Sequence, residues 1–169
     1  MVLKDKKFEQ IVKIFYEHPN KKLPIRFVAK ITKIPKSTVQ YYLSKLKKEG
    51  IITKDNSSTD ESLLFKTKKI NYYMEKIVST GLLDYLIKEL NPSCIIFFGS
   101  CRKGESEKES DIDLFIETYI KKSINAEKYE KLLKHRIQLF IETNINKLPV
   151  HLFNNVINGI KLYGSFKIK

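Results

Sequence analysis

The chain has 169 residues, 42% of them hydrophobic, and a net charge of +13. That length suits one ordinary domain or two small ones, the apolar content excludes global disorder, and no apolar run approaches the ~20 residues that span a bilayer. The start, MVLKDKKFEQ, lacks the apolar stretch of a secretory signal, so a soluble, cytoplasmic protein without a membrane partner is expected.

The charge is uneven. Residues 1–70 hold 17 Lys or Arg against 7 Asp or Glu, a net +10, and the remainder is only +3. A polyanion-binding first half joined to a near-neutral second half is the simplest interpretation. The two cysteines, Cys94 and Cys101, read as reduced thiols, and with three scattered histidines they do not make a zinc site.

Residues 6–17 place Phe8, Ile11, Val12 and Phe15 at helical spacing, and His18-Pro19-Asn20 ends that helix. A second helix fits Ile25 to Thr32, with Ile25, Val28 and Ala29 on one face. After the turn Ile34-Pro35-Lys36, Ser37 is the predicted N-cap of a third helix, Thr38 to Glu49, that buries Val39, Tyr42, Leu43 and Leu46 and stops at Gly50. Two β-prone segments follow, residues 50–54 and 62–67, separated by the turn-forming loop Asp55 to Asp60. Three helices and a hairpin in that order predict a winged helix-turn-helix over residues 1–70. Its third helix would enter the major groove, offering Gln40, Tyr41, Ser44, Lys45 and Lys48, with Lys36, Ser37 and Thr38 at its start, to bases and phosphates of duplex DNA. Lys54 and Lys66 on the wing would touch the backbone. The stretch KIPKSTVQYYLSKLKKEGII resembles the recognition segment of winged helix regulators.

Residues 71–90 predict a helical connector with a break at Ser79-Thr80-Gly81, closed by Asn91-Pro92-Ser93. Dimerisation through the winged helix or this connector, giving a homodimer, would match paired DNA half-sites.

In residues 91–169, Ile95 to Phe98 reads as a buried strand. Gly99 permits a tight turn and close approach of a ligand, and successive N–H groups from Gly99 and Ser100 onward can form a phosphate-holding nest. Asp111 to Glu117 alternates: Ile112, Leu114 and Ile116 belong in a core, while Asp111, Asp113, Phe115 and Glu117 face the other way. Two carboxylates about 7 Å apart repel by about 2 kcal/mol at an effective dielectric near 20. A divalent cation turns that repulsion into binding, and magnesium links carboxylates to substrate phosphates. A Gly-Ser turn followed by a two-carboxylate site is what metal-assisted nucleotidyl transfer needs.

Gly99-Ser100, then ten residues, then Asp111-Ile112-Asp113 matches the signature of the DNA polymerase β-type nucleotidyltransferase superfamily. FFGSCRKGESEKESDIDLFI resembles its small prokaryotic branch, the minimal nucleotidyltransferases, with Gly104 and Ser110 on frequent motif positions and Lys103 where a basic residue is usual. HLFNNVINGIKLYG resembles that branch's closing helix. The resemblance covers residues 80–165 and implies an α/β (α+β) fold, a small mixed sheet with helices at Asn125 to Leu133 and Pro149 to Ile160. It implies transfer of a nucleoside monophosphate from a nucleoside triphosphate such as ATP, with a two-metal Mg2+ site. Asp111 and Asp113 would be the catalytic metal ligands, and Gly99, Ser100, Lys103 and Ser110 would bind the nucleotide. It also implies acceptors that include proteins, RNA ends and small molecules, a separate helical partner protein among them. One departure stands out. The family's third carboxylate, which helps bind metal and activates the attacking hydroxyl, falls at Gln138 in the strand Arg136 to Glu142. Glutamine cannot act as a base, and Glu142 is about 13 Å further along. A shifted strand alignment, a substitute acid, or a site with slow or no turnover remain open. The alternative function is a DNA-binding transcriptional regulator with a degenerate, nucleotide-sensing domain. A third reading has the basic half position RNA.

Overall fold

In a computed structural model, residues 5–58 and 62–168 are described, and the chain divides into two compact units, Met1–Lys69 and Ile70–Lys169. The first unit holds α1 (Lys6–Glu17), α2 (Ile25–Thr32) and α3 (Lys36–Lys48). Asp5 caps α1 through its carboxylate and the Lys7 amide, 2.9 Å. Ile11, Phe15, Val28, Val39 and Leu46 are fully buried at the meeting of the three helices, as the apolar spacing requires. Two details of α3 differ from expectation. It starts at Lys36 behind Pro35, with no side-chain cap, because proline's fixed φ already suits a helix entry and its missing N–H costs nothing there; Ser37 therefore lies inside the first turn. Tyr42 is half-buried rather than core, because its hydroxyl donates to Asp5.

The expected wing hairpin is absent among the described residues. Residues 51–58 are bends and turns rather than a strand. Thr53 and Ser57 close this loop by backbone and hydroxyl bonds, and the amides of Asn20 and Leu23 donate to Ser58 and Asn56. The expected second strand, residues 62–67, is helical. It opens α4 (Leu63–Ser79), with the Ser62 hydroxyl accepting from the Phe65 amide at 3.3 Å. The physical reason is a stripe of fully buried residues four apart, Phe65, Lys69, Tyr73 and Ile77, which only a helix can line up. Lys66 thus lies on a helix, not a wing. Residues 59–61, the end of the expected wing loop, lie outside the described residues.

The second unit is a four-stranded sheet in the order β3-β2-β1-β4, with β1 Cys94–Phe98, β2 Ile112–Glu117, β3 Ile137–Glu142 and β4 Ile160–Gly164. β1 is antiparallel to β2 and β4, and β2 is parallel to β3 through α7 (Glu127–Leu133). All five residues of β1 are buried, the mark of a strand covered on both faces. Ile95 and Phe97 join Ile112, Leu114, Ile116, residues of α4 and α7, and Leu82, Leu86 and Leu90 of α5 (Leu82–Leu90) in one core. Ile96 and Phe98 join Phe115, Ile145 and α8 (Val150–Ile157) in the other. Each of these apolar side chains contributes about 1.5–3 kcal/mol on burial. Gly81, at φ 80°, makes the expected break before α5. The closing helix is shorter than expected. Gly159 ends α8 where a Cβ would stand 2.5 Å from Ile96, and Ile160–Gly164 then pairs with β1 instead of continuing the helix. A first α7 turn at Asn125 is likewise replaced by the Asn125 side chain accepting from the Glu127 amide, 3.0 Å.

Candidate functional site

β1 ends at Phe98 and the chain turns at once into the short helix α6 (Gly99–Lys103). Gly99 has φ 75°, and a Cβ there would lie 1.8 Å from Oδ2 of Asp113. Only glycine fits, so residues 14 apart in sequence meet: Asp113 pairs with Phe98 in the β1/β2 register and its carboxylate fills the space over Gly99. Gly104 closes α6 at φ 74°, which accounts for a glycine at that position. Cys101, buried, donates from Sγ to the backbone carbonyl of Asp111 at 3.2 Å. Both cysteines are free thiols, and here one fixes the loop end of β2.

The two carboxylates are poorly provided for by the protein. Among the described residues no hydrogen bond or ion pair reaches the carboxylate of Asp111 or Asp113. Burial first, and the neighbouring Asp111 second, push the Asp113 carboxyl up to about 6. Contrast Glu117 on the same face of the same strand. It is buried, yet takes a 2.7 Å bond from the Ser93 hydroxyl and another of 2.7 Å from the Ile145 amide. Glu117 ties three segments together; Asp111 and Asp113 have charge to spare.

The remaining expected site residues fall around this pair. Ser100 is half-buried in the first turn of α6, and Lys103, the last residue of α6, is exposed. The Ser110 hydroxyl accepts from the Glu107 amide at 2.9 Å, holding the turn that delivers Asp111. Asp113 pairs with Gln138, and Glu117 with Glu142, so Gln138 does occupy the strand position beside the carboxylates. No third acid, histidine or cysteine joins Asp111 and Asp113 in a metal-sized group among the described residues. Two hard carboxylate oxygens with unrelieved repulsion suit one divalent cation of magnesium type, whose other ligands are waters and substrate phosphate.

Arg136 is a residue that sequence reasoning passed over. Its carbonyl accepts from the Ile112 amide at 2.9 Å, a bond of the Ile112–Ile137 pair with which the β2/β3 ladder opens. Asp113 and Gln138 are paired neighbours in that ladder, and Asp111 and Arg136 each stand one residue before their strands. Asp111 and Arg136 also line a cavity of about 580 Å3 with Lys108, Glu130, Lys131, Lys134 and His135. The pattern was visible in sequence; the parallel register that gives it meaning was not.

The family model for the nucleotidyltransferase domain matches residues 80–168. The chain belongs to the nucleotidyltransferase domain family. A second model, bacterial regulatory protein of the arsR family, matches residues 23–54, the segment of α2, α3 and the following loop. The chain thus joins a nucleotidyltransferase domain to an arsR-type helix-turn-helix. No curated protein and no solved structure matches it, and no described helix is long and apolar enough to cross a membrane.

On the helix-turn-helix, Lys36, Ser37, Gln40, Tyr41, Ser44, Lys45 and Lys48 are exposed and Thr38 is half-buried. Positions 37, 41, 44 and 48 follow one another at three or four residues, 45 lies four from 41 and three from 48, and together they make one face. Ser44 donates to the Gln40 carbonyl at 3.0 Å, and the Lys45 ammonium lies 5.2 Å from the Phe8 ring centre.

Proposed function

We propose that the chain is a magnesium-dependent nucleotidyltransferase that moves a nucleoside monophosphate from a nucleoside triphosphate to an acceptor, and that its helix-turn-helix binds duplex DNA. The observation that carries the reading is the meeting of Gly99 with Asp113, a backbone cradle that a methyl group would close, beside two carboxylates that no donor reaches among the described residues. Asp111 and Asp113 would hold the cation, which when bound neutralises charge at the reacting phosphate. Gly99 and Ser100 keep the backbone open to phosphate oxygens, and Lys103 and Ser110 stand at the two ends of the connecting loop. Incubation with each α-labelled nucleoside triphosphate and Mg2+ should label an acceptor, and the double variant Asp111→Asn/Asp113→Asn should lose about 100-fold or more, the scale of losing directed charge stabilisation. Full labelling by that variant refutes the reading.

Gln138 in register with Asp113 favours one second reading, a regulator that binds nucleotide without turning it over. It predicts DNA affinity that changes with nucleotide and no covalent product.

A further inference from the structure

We propose that the free edge of β3 pairs antiparallel with the same edge of a second copy of the chain, Leu139 beside Leu139, so that Arg136 of each copy meets Glu142 of the other. The inference is independent of the nucleotidyltransferase reading above.

The sheet has two edges, and they are built differently. β4 closes one side with defences against further pairing. Its register with β1 shifts between Ile95 and Ile96, Lys161 is exposed on it, and it ends at Gly164 with φ 67°. Bulges and edge lysines are how sheets avoid adding a strand. β3 closes the other side with none of these. All six of its residues stay in register with β2, it contains no lysine, proline or glycine, and Ile141 is exposed.

Hydrogen bonding along β3 shows which groups are left over. The Ile112 and Thr118 amides donate to the carbonyls of Arg136 and Glu142, both at 2.9 Å. Even-numbered residues of β3 therefore turn their main-chain groups toward β2, and Ile137, Leu139 and Ile141 turn theirs outward. The Ile137 amide is taken by the Glu130 carboxylate at 2.9 Å. Among the described residues nothing bonds the outward groups of Leu139 and Ile141.

The sequence of this strand decides the occupant. Arg136-Ile137-Gln138-Leu139-Phe140-Ile141-Glu142 is complementary to its own reverse. An antiparallel pair centred on Leu139 sets Arg136 opposite Glu142, Ile137 opposite Ile141 and Gln138 opposite Phe140, and the twofold repeats each pair. Centred one residue earlier or later, Arg136 faces Phe140 or Asn144 instead. Neither Arg136 nor Glu142 has an ion-pair partner among the described residues. The main chain fits the same register. Leu139 of each copy exchanges both bonds with the other, and each Ile141 amide donates to the partner's Ile137 carbonyl, while Glu130 keeps the Ile137 amide. Exposed ion pairs contribute little affinity; here they fix register and partner. A single edge strand is a small interface, so the dimer is a weak one that forms with rising concentration. It lays the second copy along the strand whose Gln138 pairs with Asp113 on the other side.

The test is sedimentation velocity on the full chain over a concentration series. Salt at about 0.15 M screens charges more than about 8 Å apart, and so the net +13, while leaving touching charges paired. Wild type should show a monomer–dimer equilibrium. Arg136→Glu brings two acids together at each end of the pairing, and Glu142→Arg brings two cations together, so each variant alone should associate about 10- to 100-fold more weakly. Mixed, the two variants restore opposite charges at both ends and should associate as wild type does, and so should the doubly exchanged Arg136→Glu/Glu142→Arg. Misfolding cannot give that recovery. Amide exchange locates the contact: Leu139 and Ile141 should gain protection as concentration rises, while Gln138 and Phe140, already bonded to β2, should not. A chain that stays monomeric to its solubility limit overturns the inference. So does a dimer that either single variant forms as readily as wild type, which places the contact on another surface, and so do single variants that stay monomeric when mixed.

Discussion

Removing the charge of Asp113 should stabilise the protein while disabling it. The carboxyl titrates at about 6 in the fold, against an ordinary 3.8, because burial and then Asp111 disfavour its ionised form. Below pH 4 the group is protonated both folded and unfolded and no penalty exists. As pH rises from about 4 to 6 the unfolded chain has released the proton and the folded chain has not, so stability falls; above 6 the loss is constant. The whole shift corresponds to about 3 kcal/mol, and screening at a half-exposed group reduces this to about 1 kcal/mol. Asp113→Asn should therefore match wild type near pH 4 and exceed it by about 1 kcal/mol at pH 7, or about 5 °C in Tm for a unit of this size. Thermal unfolding in chelator at pH 4, 5, 6 and 7 measures this. Adding Mg2+ and a nonhydrolysable triphosphate should raise Tm in wild type by mass action and leave the variant unmoved. A variant no more stable than wild type at pH 7, or a difference independent of pH, refutes the electrostatic account of the pair.

Gly99→Ala places a methyl group 1.8 Å from Oδ2 of Asp113 at φ 75°; the backbone alone costs about 1–2 kcal/mol, and displaced Asp113 should abolish nucleotide binding by calorimetry. Gly81→Ala is the matched control, with φ 80° and nothing within 4 Å of its Cβ; it should lose similar stability and keep full nucleotide binding. On the helix-turn-helix, Lys36→Ala/Lys48→Ala should weaken duplex binding and flatten the dependence of log K on log salt by about 2. An unchanged salt slope in fluorescence anisotropy titrations removes α3 from the DNA contact.

The helices of the first unit were legible because their apolar residues alone carry the period: α1 and α2 begin and end where spacing places them. The false wing has an equally specific origin. Leu63-Leu64-Phe65 has strand-like composition, and the stripe that makes it a helix runs through Lys69, fully buried with its ammonium 5.8 Å from the Phe65 ring centre. A reading that treats lysine as surface breaks that stripe in two. β4 was hidden for the opposite reason. Asn158-Gly159 is a turn signal, but similarity to a closing helix outweighed it, and the close approach of Gly159 to Ile96 exists only once the strand has folded back.

The acids at 111 and 113 stood out in sequence because a charged pair on an alternating apolar strand is costly without a partner. By that argument alone Glu117, in the same alternation, was equally suspect. What separates them is the fold's supply of donors. Ser93 arrives from the start of β1 and Ile145 from the turn after β3 to satisfy Glu117, from 24 and 28 residues away. No comparable donor among the described residues reaches Asp111 or Asp113. A buried carboxylate that the protein satisfies is structure; one left unsatisfied, next to a second and over a glycine that nothing larger can replace, stays open to a counter-charge from outside. That difference is set by long-range topology, so the sequence could nominate three acids and only the folded chain could choose two.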